Sequence, residues 1–317
     1  IAAIETADLA ALSNTQVVGL DSSFVQALTS DQVVALTASQ LKVMTSDQLN
    51  ALDTADLAAI TTDKITSLSA AQIGGLNTTQ INALITDQIA VLTASQVKGL
   101  TTDQLTSLNT DALVALTTLQ VDALVATQLN ALSSSQISAL QTADVAAIDV
   151  YQVASLETDF IAGLTTSQVE ALTAAQVGKL TTDQFAQLGT DDIQALTTVQ
   201  MAAVTAAQIN SLSPAKIQAL ETDDLRSLRV TQVSALNTAS INALTTSQTQ
   251  ALTTAQIARI SNTQLRSLVD AQADDTAIAA LFTSAQIGAG TTDSPSLLTA
   301  TQLSGMSTGD IAALRTD

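Results

Sequence analysis

The sequence contains no cysteine, no histidine and no tryptophan among its 317 residues. Without cysteine the chain has no disulfides, thiolate metal sites or thiol nucleophiles. Without histidine it lacks the commonest general base and metal ligand. Aromatic residues make up only 2% of the chain, so Leu, Ile, Val and Ala must supply its core.

Charged residues are few, and most of them are acidic. They make up 12% of the chain, with 29 acids against 10 bases and a formal net charge of −19. A polyanion repels nucleic acids and anionic membrane surfaces, so neither is an expected partner. No run of about 18 apolar residues occurs, and we therefore expect no membrane insertion.

The side chains of the common catalytic sites are also missing. Ser and Thr are abundant, but a nucleophilic triad in its usual forms needs His or Cys. No glycine loop suited to phosphate binding is present. We therefore expect a protein that is not an enzyme and that holds no cofactor, apart from the calcium considered below.

What the sequence does contain is an eight-residue repeat, Leu-Thr-x-x-Gln-(Ile/Val/Leu)-x-Ala, which runs from Ile4 to Leu268. We number each octad from its Leu as position 0, and Leu100–Leu108 is representative. Positions 0 and 5 are apolar, with Thr249 the exception at position 5. Position 1 is mostly Ser, Thr, Asp or Asn, position 4 is mostly Gln, and position 7 is mostly small.

This spacing indicates one short helix per octad. In a continuous α-helix eight residues overshoot two turns by roughly 80°, so the apolar stripe would spiral around the helix. A strand would need alternation, and a calcium-binding β-roll would need many more glycines than 11. Thr-x-x-Gln is instead a capping box, with position 1 as the N-cap and position 4 as N3. Pro214 falls at N1, where proline is favoured.

The predicted fold is all-α, a right- or left-handed α-solenoid of very short helices of about two turns each. Positions 5 and 0 of successive octads share a face, and small position 7 lets helices approach closely. No single octad buries enough apolar surface to fold alone, so it must stack on its neighbours. The N3 glutamines can also form ladders along such a solenoid, because each amide has several donors and acceptors.

The repeat defines the predicted organisation of the chain. Residues 1–268 form a continuous octad-repeat solenoid, residues 269–297 an irregular insertion or junction, and residues 298–317 resumed octads. Five extra residues separate Leu268 from Leu281, and Gly288 to Pro295 has the composition of a loop.

The two ends of the sequence are complementary parts of one octad. Ile1 and Ile4 occupy positions 5 and 8, whereas Leu314 and Asp317 occupy positions 0 and 3. We expect these four residues to lie at assembly surfaces. Either the array continues in tandem in a longer polypeptide, or copies of the chain stack head to tail as a homopolymer, a heterologous contact that builds an open filament.

The octads resemble the Thr/Ala-rich short repeats of very large secreted bacterial surface and matrix proteins, which are adhesin-like. The resemblance covers nearly the whole chain and implies an extracellular or cell-surface protein of bacteria. On this basis we expect a structural protein that forms an extracellular filament or fibre. The alternative is the stalk or ligand-binding surface of a large adhesin.

The inserted segment holds a candidate calcium site. Asp270, Asp274 and Asp275 lie close together in the sequence, and carboxylate oxygens are ligands that calcium prefers. The alternative is a solvated acidic loop, since the spacing matches no EF-hand.

Calorimetric titration with calcium distinguishes the two. A calcium site predicts binding heat and a higher melting temperature, both lost when Asp274 and Asp275 are changed to Asn. No heat and no change in stability would rule the site out.

Overall fold

In the computed structural model the protein is an all-α solenoid, and the structure describes residues 1–271. Contacts divide the chain into two compact units, Ile1–Leu164 and a second that begins at Thr165. The helices of the first unit are α1 Thr6–Ala11, α2 Asn14–Val18, α3 Ser22–Gln26, α4 Ser30–Ala35, α5 Ala38–Val43, α6 Ser46–Ala51, α7 Thr54–Ala59, α8 Thr62–Ile65, α9 Ala70–Gly74, α10 Thr78–Ala83, α11 Thr86–Ala90, α12 Ala94–Lys98, α13 Thr102–Ser107, α14 Thr110–Val114, α15 Thr118–Ala123, α16 Ala126–Asn130, α17 Ser134–Ala139, α18 Thr142–Ala147, α19 Val150–Val153 and α20 Thr158–Ala162. Those of the second are α21 Thr166–Ala171, α22 Ala174–Lys179, α23 Thr182–Gln187, α24 Thr190–Ala195, α25 Thr198–Ala203, α26 Ala206–Asn210, α27 Pro214–Ala219, α28 Thr222–Ser227, α29 Val230–Ser234, α30 Thr238–Ala243, α31 Thr246–Ala251, α32 Thr254–Ile257 and α33 Asn262–Ala271.

Each octad before α33 forms one helix of four to six residues, as the repeat predicts. In α13, the Thr101 hydroxyl accepts a hydrogen bond from the Gln104 backbone N–H at 3.2 Å. The Gln104 side-chain oxygen accepts one in return from the Thr101 N–H at 2.8 Å. Leu108 then ends the helix because its backbone is extended, with φ −62° and ψ 136°. Pro214 is the first residue of α27, which confirms its expected place at N1.

The core lies inside the windings and is made by octad positions 5 and 0. Every position-5 side chain from Leu9 to Leu265 is at most 2% exposed, and Thr249 at that position is fully buried. Position-0 side chains from Leu28 to Leu268 are at most 7% exposed. Full burial of an aliphatic side chain stabilises by about 1.5–3 kcal/mol, so the stability of each octad depends on the turns above and below it.

Within each unit, helices that are three apart in the chain pack side by side. Examples are α4 against α7 in the first unit and α22 against α25 in the second. Side-chain hydrogen bonds, described below, join helices that are four apart. One turn of the solenoid therefore contains between three and four octads, a number that the octad pattern itself does not reveal.

The end of the described region departs from the octad rule. Helix α33 has ten residues and extends to Ala271, past Leu268, where the octad phase breaks. The remainder of the predicted insertion and the resumed octads 298–317 lie outside the described residues.

Small residues allow the closest approach between turns. A Cβ added to Gly74 in α9 would lie 2.4 Å from the backbone oxygen of Gly99, at the end of α12. The same addition at Gly19 would meet nothing closer than 3.4 Å. Gly74 is therefore required for packing, whereas Gly19 is not.

We expect Gly74→Ala to destabilise the chain by about 1–3 kcal/mol, the usual cost of overpacking. Gly19→Ala serves as the matched control. Its backbone is right-handed helical, so alanine there should be neutral or stabilise by about 0.4–1 kcal/mol. Denaturant unfolding of both variants measures the difference, and equal stabilities would contradict the close approach.

Candidate functional site

The candidate site is a recurring contact between turns, which we call the glutamine staple. It consists of the position-4 Gln of one octad, the N-cap N–H of its own helix, and the last carbonyls of the helix four octads earlier. Gln104 makes each of these contacts. Its side-chain oxygen accepts from Thr101 N–H, and its amide nitrogen donates to Ile73 O at 2.9 Å and to Leu76 O at 2.6 Å.

The staple recurs in both units with constant register. The amide nitrogen reaches carbonyls that are 31 and 28 positions earlier, or 30 and 28 where the geometry shifts slightly. The amide nitrogens with described carbonyl acceptors are those of Gln32, Gln40, Gln48, Gln72, Gln80, Gln88, Gln96, Gln104, Gln120, Gln128, Gln136, Gln200, Gln208, Gln232, Gln248, Gln256 and Gln264. Gln80 forms only this half of the staple, because the Asn77 N–H donates to Asn50 Oδ1 and Gln80 Oε1 has no partner. The sequence allowed the N3 glutamines to form a ladder along the solenoid, and the structure contains this ladder together with the predicted capping boxes.

Burial makes the staple energetically important. Gln104 is 2% exposed and Gln88 is fully buried. The carbonyls at a helix C-terminus have no partner within their own helix, and a buried polar group without a partner costs about 1–3 kcal/mol. One amide therefore serves the start of one helix and the end of another, which is why helices this short are stable.

Lysine occupies position 4 in two octads and keeps the donor. The ammonium of Lys64 donates to Val34 O, and that of Lys216 donates to Ala186 O, each 30 positions earlier. A positive charge at a helix C-terminus is favourable. In these two octads a lysine ammonium thus takes the place of the glutamine amide as the donor to the preceding turn.

Aspartate at position 4 removes the donor. Asp56, Asp144 and Asp224 are only 2–3% exposed, and Oδ2 of each has no hydrogen-bond partner. Burial is the main reason that the pKa of all three is raised, to about 6 for Asp224. In Asp192 both carboxylate oxygens have donors: Oδ2 accepts from Gly189 N–H and Oδ1 from the Thr166 hydroxyl, each at 2.8 Å.

Asparagine at position 6 forms a second link between turns, which the sequence analysis missed. Asn50 donates to Gly75 O and accepts from the N-cap N–H of Asn77, each at 2.8 Å. Asn130 likewise accepts from Glu157 N–H at 2.9 Å, where Phe160 at position 4 cannot complete a capping box. The recurrence of Asn at position 6 was the available signal, but its partners are 25 and 27 positions away.

Of the predicted assembly residues, the structure describes Ile1 and Ile4. The Gln32 amide donates to Ile1 O at 3.1 Å and to Ile4 O at 2.8 Å, so both take part in a staple. Leu314 and Asp317 lie outside the described residues.

The predicted calcium ligands are not tested by the structure. Asp274 and Asp275 lie outside the described residues, and only the backbone of Asp270, in α33, is described. Within residues 1–271, no group of three or more acidic side chains is arranged to hold a metal ion. In the same range, no helix has both the length and the hydrophobicity that a membrane span requires.

Short capped helices joined turn to turn by side-chain amides define this protein as an α-solenoid of octad repeats. The chain belongs to the ALTTAQ repeat family. The family model matches residues 1–38, 50–86, 153–190, 185–222 and 217–254, more than half of the chain. The family's six letters occur unchanged at Ala251–Gln256, which spans a Leu at position 0 and the Gln of the next staple. A comparison with curated proteins finds no match.

We expect Gln104→Leu to destabilise the chain by about 2–4 kcal/mol, because it removes both the capping-box acceptor and the donor to the preceding turn. Gln16→Leu is the matched control. Gln16 has the same octad position and the same capping box with Ser13, but it is exposed and outside the series of staples. Its loss should cost only about 0.5–1 kcal/mol.

Chemical denaturation of both variants measures the contribution of the link between turns. If Gln104→Leu and Gln16→Leu lose the same stability, the link between turns contributes nothing.

Proposed function

We propose that this chain is a structural protein that forms an extracellular filament by head-to-tail continuation of its solenoid. The joint between consecutive segments is the same turn-to-turn contact that holds the helices together. Because that contact recurs along the array with the same register, a turn can receive another turn of the same sequence type.

The observation that supports this proposal most strongly is the incomplete burial of the first turn. Ile4, Leu12 and Leu20 at position 0 are only half-buried, although the position-0 side chains from Leu28 to Leu268 are at most 7% exposed. Phe24 at position 4 is half-buried too, whereas Phe160 at the same octad position is 2% exposed. An exposed apolar face of this kind favours contact with a further turn.

The hydrogen-bonding groups of the first turn support the same proposal. Gln16 already uses its side-chain oxygen for the Ser13 N–H at 2.9 Å, as a staple does. Its exposed amide is then oriented by the same capping box as the buried ones. A further turn that offered helix C-terminal carbonyls would complete the staple, whether it came from the same polypeptide or from another copy.

The extracellular setting of the proposed filament follows from the resemblance to repeats of secreted bacterial surface proteins. The stalk or ligand-binding surface of an adhesin is the second candidate. Exposed apolar side chains at octad position 3 favour it, since they contribute nothing to the core: Leu119 is 76% exposed, Tyr151 81% and Val199 70%. The two candidates use different surfaces, and mutations can therefore separate them.

We expect the purified chain to form concentration-dependent fibres of uniform width, visible by negative-stain electron microscopy and sedimentation velocity. Leu20→Glu, on the open first turn, should abolish them because it places a charge in the joint. Leu119→Glu, on the outer surface, should leave them unchanged. Circular dichroism of each variant checks that the helices remain folded.

A wild-type chain that stays monomeric at high concentration would contradict self-assembly. Short isolated rods whose ligand binding is lost in Leu119→Glu, and not in Leu20→Glu, would favour the adhesin surface instead.

A further inference from the structure

Three buried acids occupy the place of a staple glutamine, Asp56 and Asp144 in the first unit and Asp224 in the second. Asp56 in α7 is 2% exposed and Asp224 in α28 is 3% exposed, and Oδ2 of each has no partner. In Asp56 the second oxygen, Oδ1, accepts from the Ser30 hydroxyl, 26 positions earlier, at 2.6 Å.

The constant register of the staples identifies the carbonyls that would accept a hydrogen bond from a glutamine at the position of each acid. Staple glutamines donate to carbonyls 31 and 28 positions earlier, as Gln248 does to Ile217 O and Leu220 O. For Asp224 those carbonyls belong to Ile193 and Leu196. A carboxylate has no hydrogen to give to a carbonyl, whereas a neutral carboxyl has one O–H.

The side chains that surround Asp56 and Asp224 are mostly acidic or uncharged, so they do not neutralise the negative charge of an ionised carboxylate. Asp56 has Asp53 on its own N-cap and Asp31 on α4, and α10, which also packs on α7, carries no charge. Around Asp224 the helices α25 and α31 carry no charge, and α24, four octads earlier, carries Asp191 and Asp192. The remaining charges on the same or adjoining helices are Asp47, Asp63, Lys64, Lys216, Glu221, Asp223, Arg226 and Arg229.

The nearby bases are engaged elsewhere. Lys64 and Lys216 donate to Val34 O and Ala186 O, in staples of their own. Arg226 donates to Ala251 O at 3.1 Å and lies 3.6 Å from the exposed Asp223 carboxylate.

We propose that Asp56 and Asp224 are proton-operated staples: when the carboxyl is neutral, Oδ2 donates its hydrogen to the preceding turn, and when the carboxyl ionises that hydrogen bond is lost. The contact between turns at Asp56 and at Asp224 is therefore stronger in mildly acidic solution than at neutral pH. These acids therefore make the stability of the solenoid depend on pH, which the glutamine amides do not. The proposal does not depend on the assembly of the chain into filaments.

The direction of the pH dependence follows from proton linkage. Burial, with repulsion from Glu221 and Asp223, raises the pKa of Asp224 from its ordinary 3.8 to about 6. Between these two values the folded chain binds more protons than the unfolded chain, so stability falls as pH rises. The contribution of the group is fully present below its ordinary pKa and is lost as pH rises through about 6. Asp56 has the same direction, with burial as its main cause.

Thermal unfolding of two isosteric variants at about pH 4.5 and about pH 7.5 tests the proposal. Asp224→Asn keeps an N–H donor but cannot ionise, so it should raise the melting temperature by about 3 °C at the higher pH and leave it unchanged at the lower. Asp224→Leu can neither donate nor ionise, and it should melt below the wild type at the lower pH. Asp103→Asn, at an exposed octad position 3, is the control for general charge effects.

Carbon-13 NMR of aspartate carboxyls gives a second measurement that does not depend on stability. One carboxyl should titrate near pH 6 and be missing from the spectrum of Asp224→Asn. The proposal is wrong if Asp224 titrates near its ordinary value, or if Asp224→Leu is as stable as the wild type at about pH 4.5.

Discussion

The structure depends on one interaction, the hydrogen bonding of a buried glutamine amide at both of its ends. Its oxygen completes a capping box in its own helix, and its nitrogen closes the C-terminus of a helix one turn away, as Gln104 does with Thr101 and Leu76. Isolated helices of four to six residues are unstable in water because so many of their backbone groups have no partner. The staple satisfies those groups from a neighbouring turn, so secondary and tertiary structure form together here.

This dual use of the amide explains why the repeat can be as short as eight residues. Larger solenoid repeats give each helix pair its own hydrophobic interface. Here one apolar side chain at position 5 and one at position 0 line the interior, and the amide supplies both the cap and the link to the next turn. Substitutions at position 4 then modulate the link locally: Lys64 keeps a donor, whereas Asp224 retains one only when it is protonated. Position 4 thus determines whether the buried link between turns has a hydrogen-bond donor and whether that donor depends on pH.

The sequence predicted the local structure of the octad well, because caps and core are short-range patterns. Thr101 as N-cap, Gln104 as its reciprocal partner and Leu105 as core are all confirmed. The number of octads per turn could not be predicted, since it depends on packing between residues about 28 positions apart. For the same reason the sequence allowed a glutamine ladder without specifying its acceptors, and it did not reveal the link made by Asn50. The buried state of Asp56 and Asp224 was also hidden, because the pattern placed them at a polar position.

Hydrogen exchange of the glutamine side-chain amides, followed by NMR, tests the central claim most directly, since it observes the staple nitrogen itself. If the staple holds the turns together, the Nε2 protons of Gln88 and Gln104, which are buried and bonded to carbonyls of the preceding turn, should exchange at least about a hundredfold more slowly than those of exposed Gln16. Equal exchange rates at the three side chains would show that the amides do not bond between turns, and that packing of the apolar core alone holds this solenoid together.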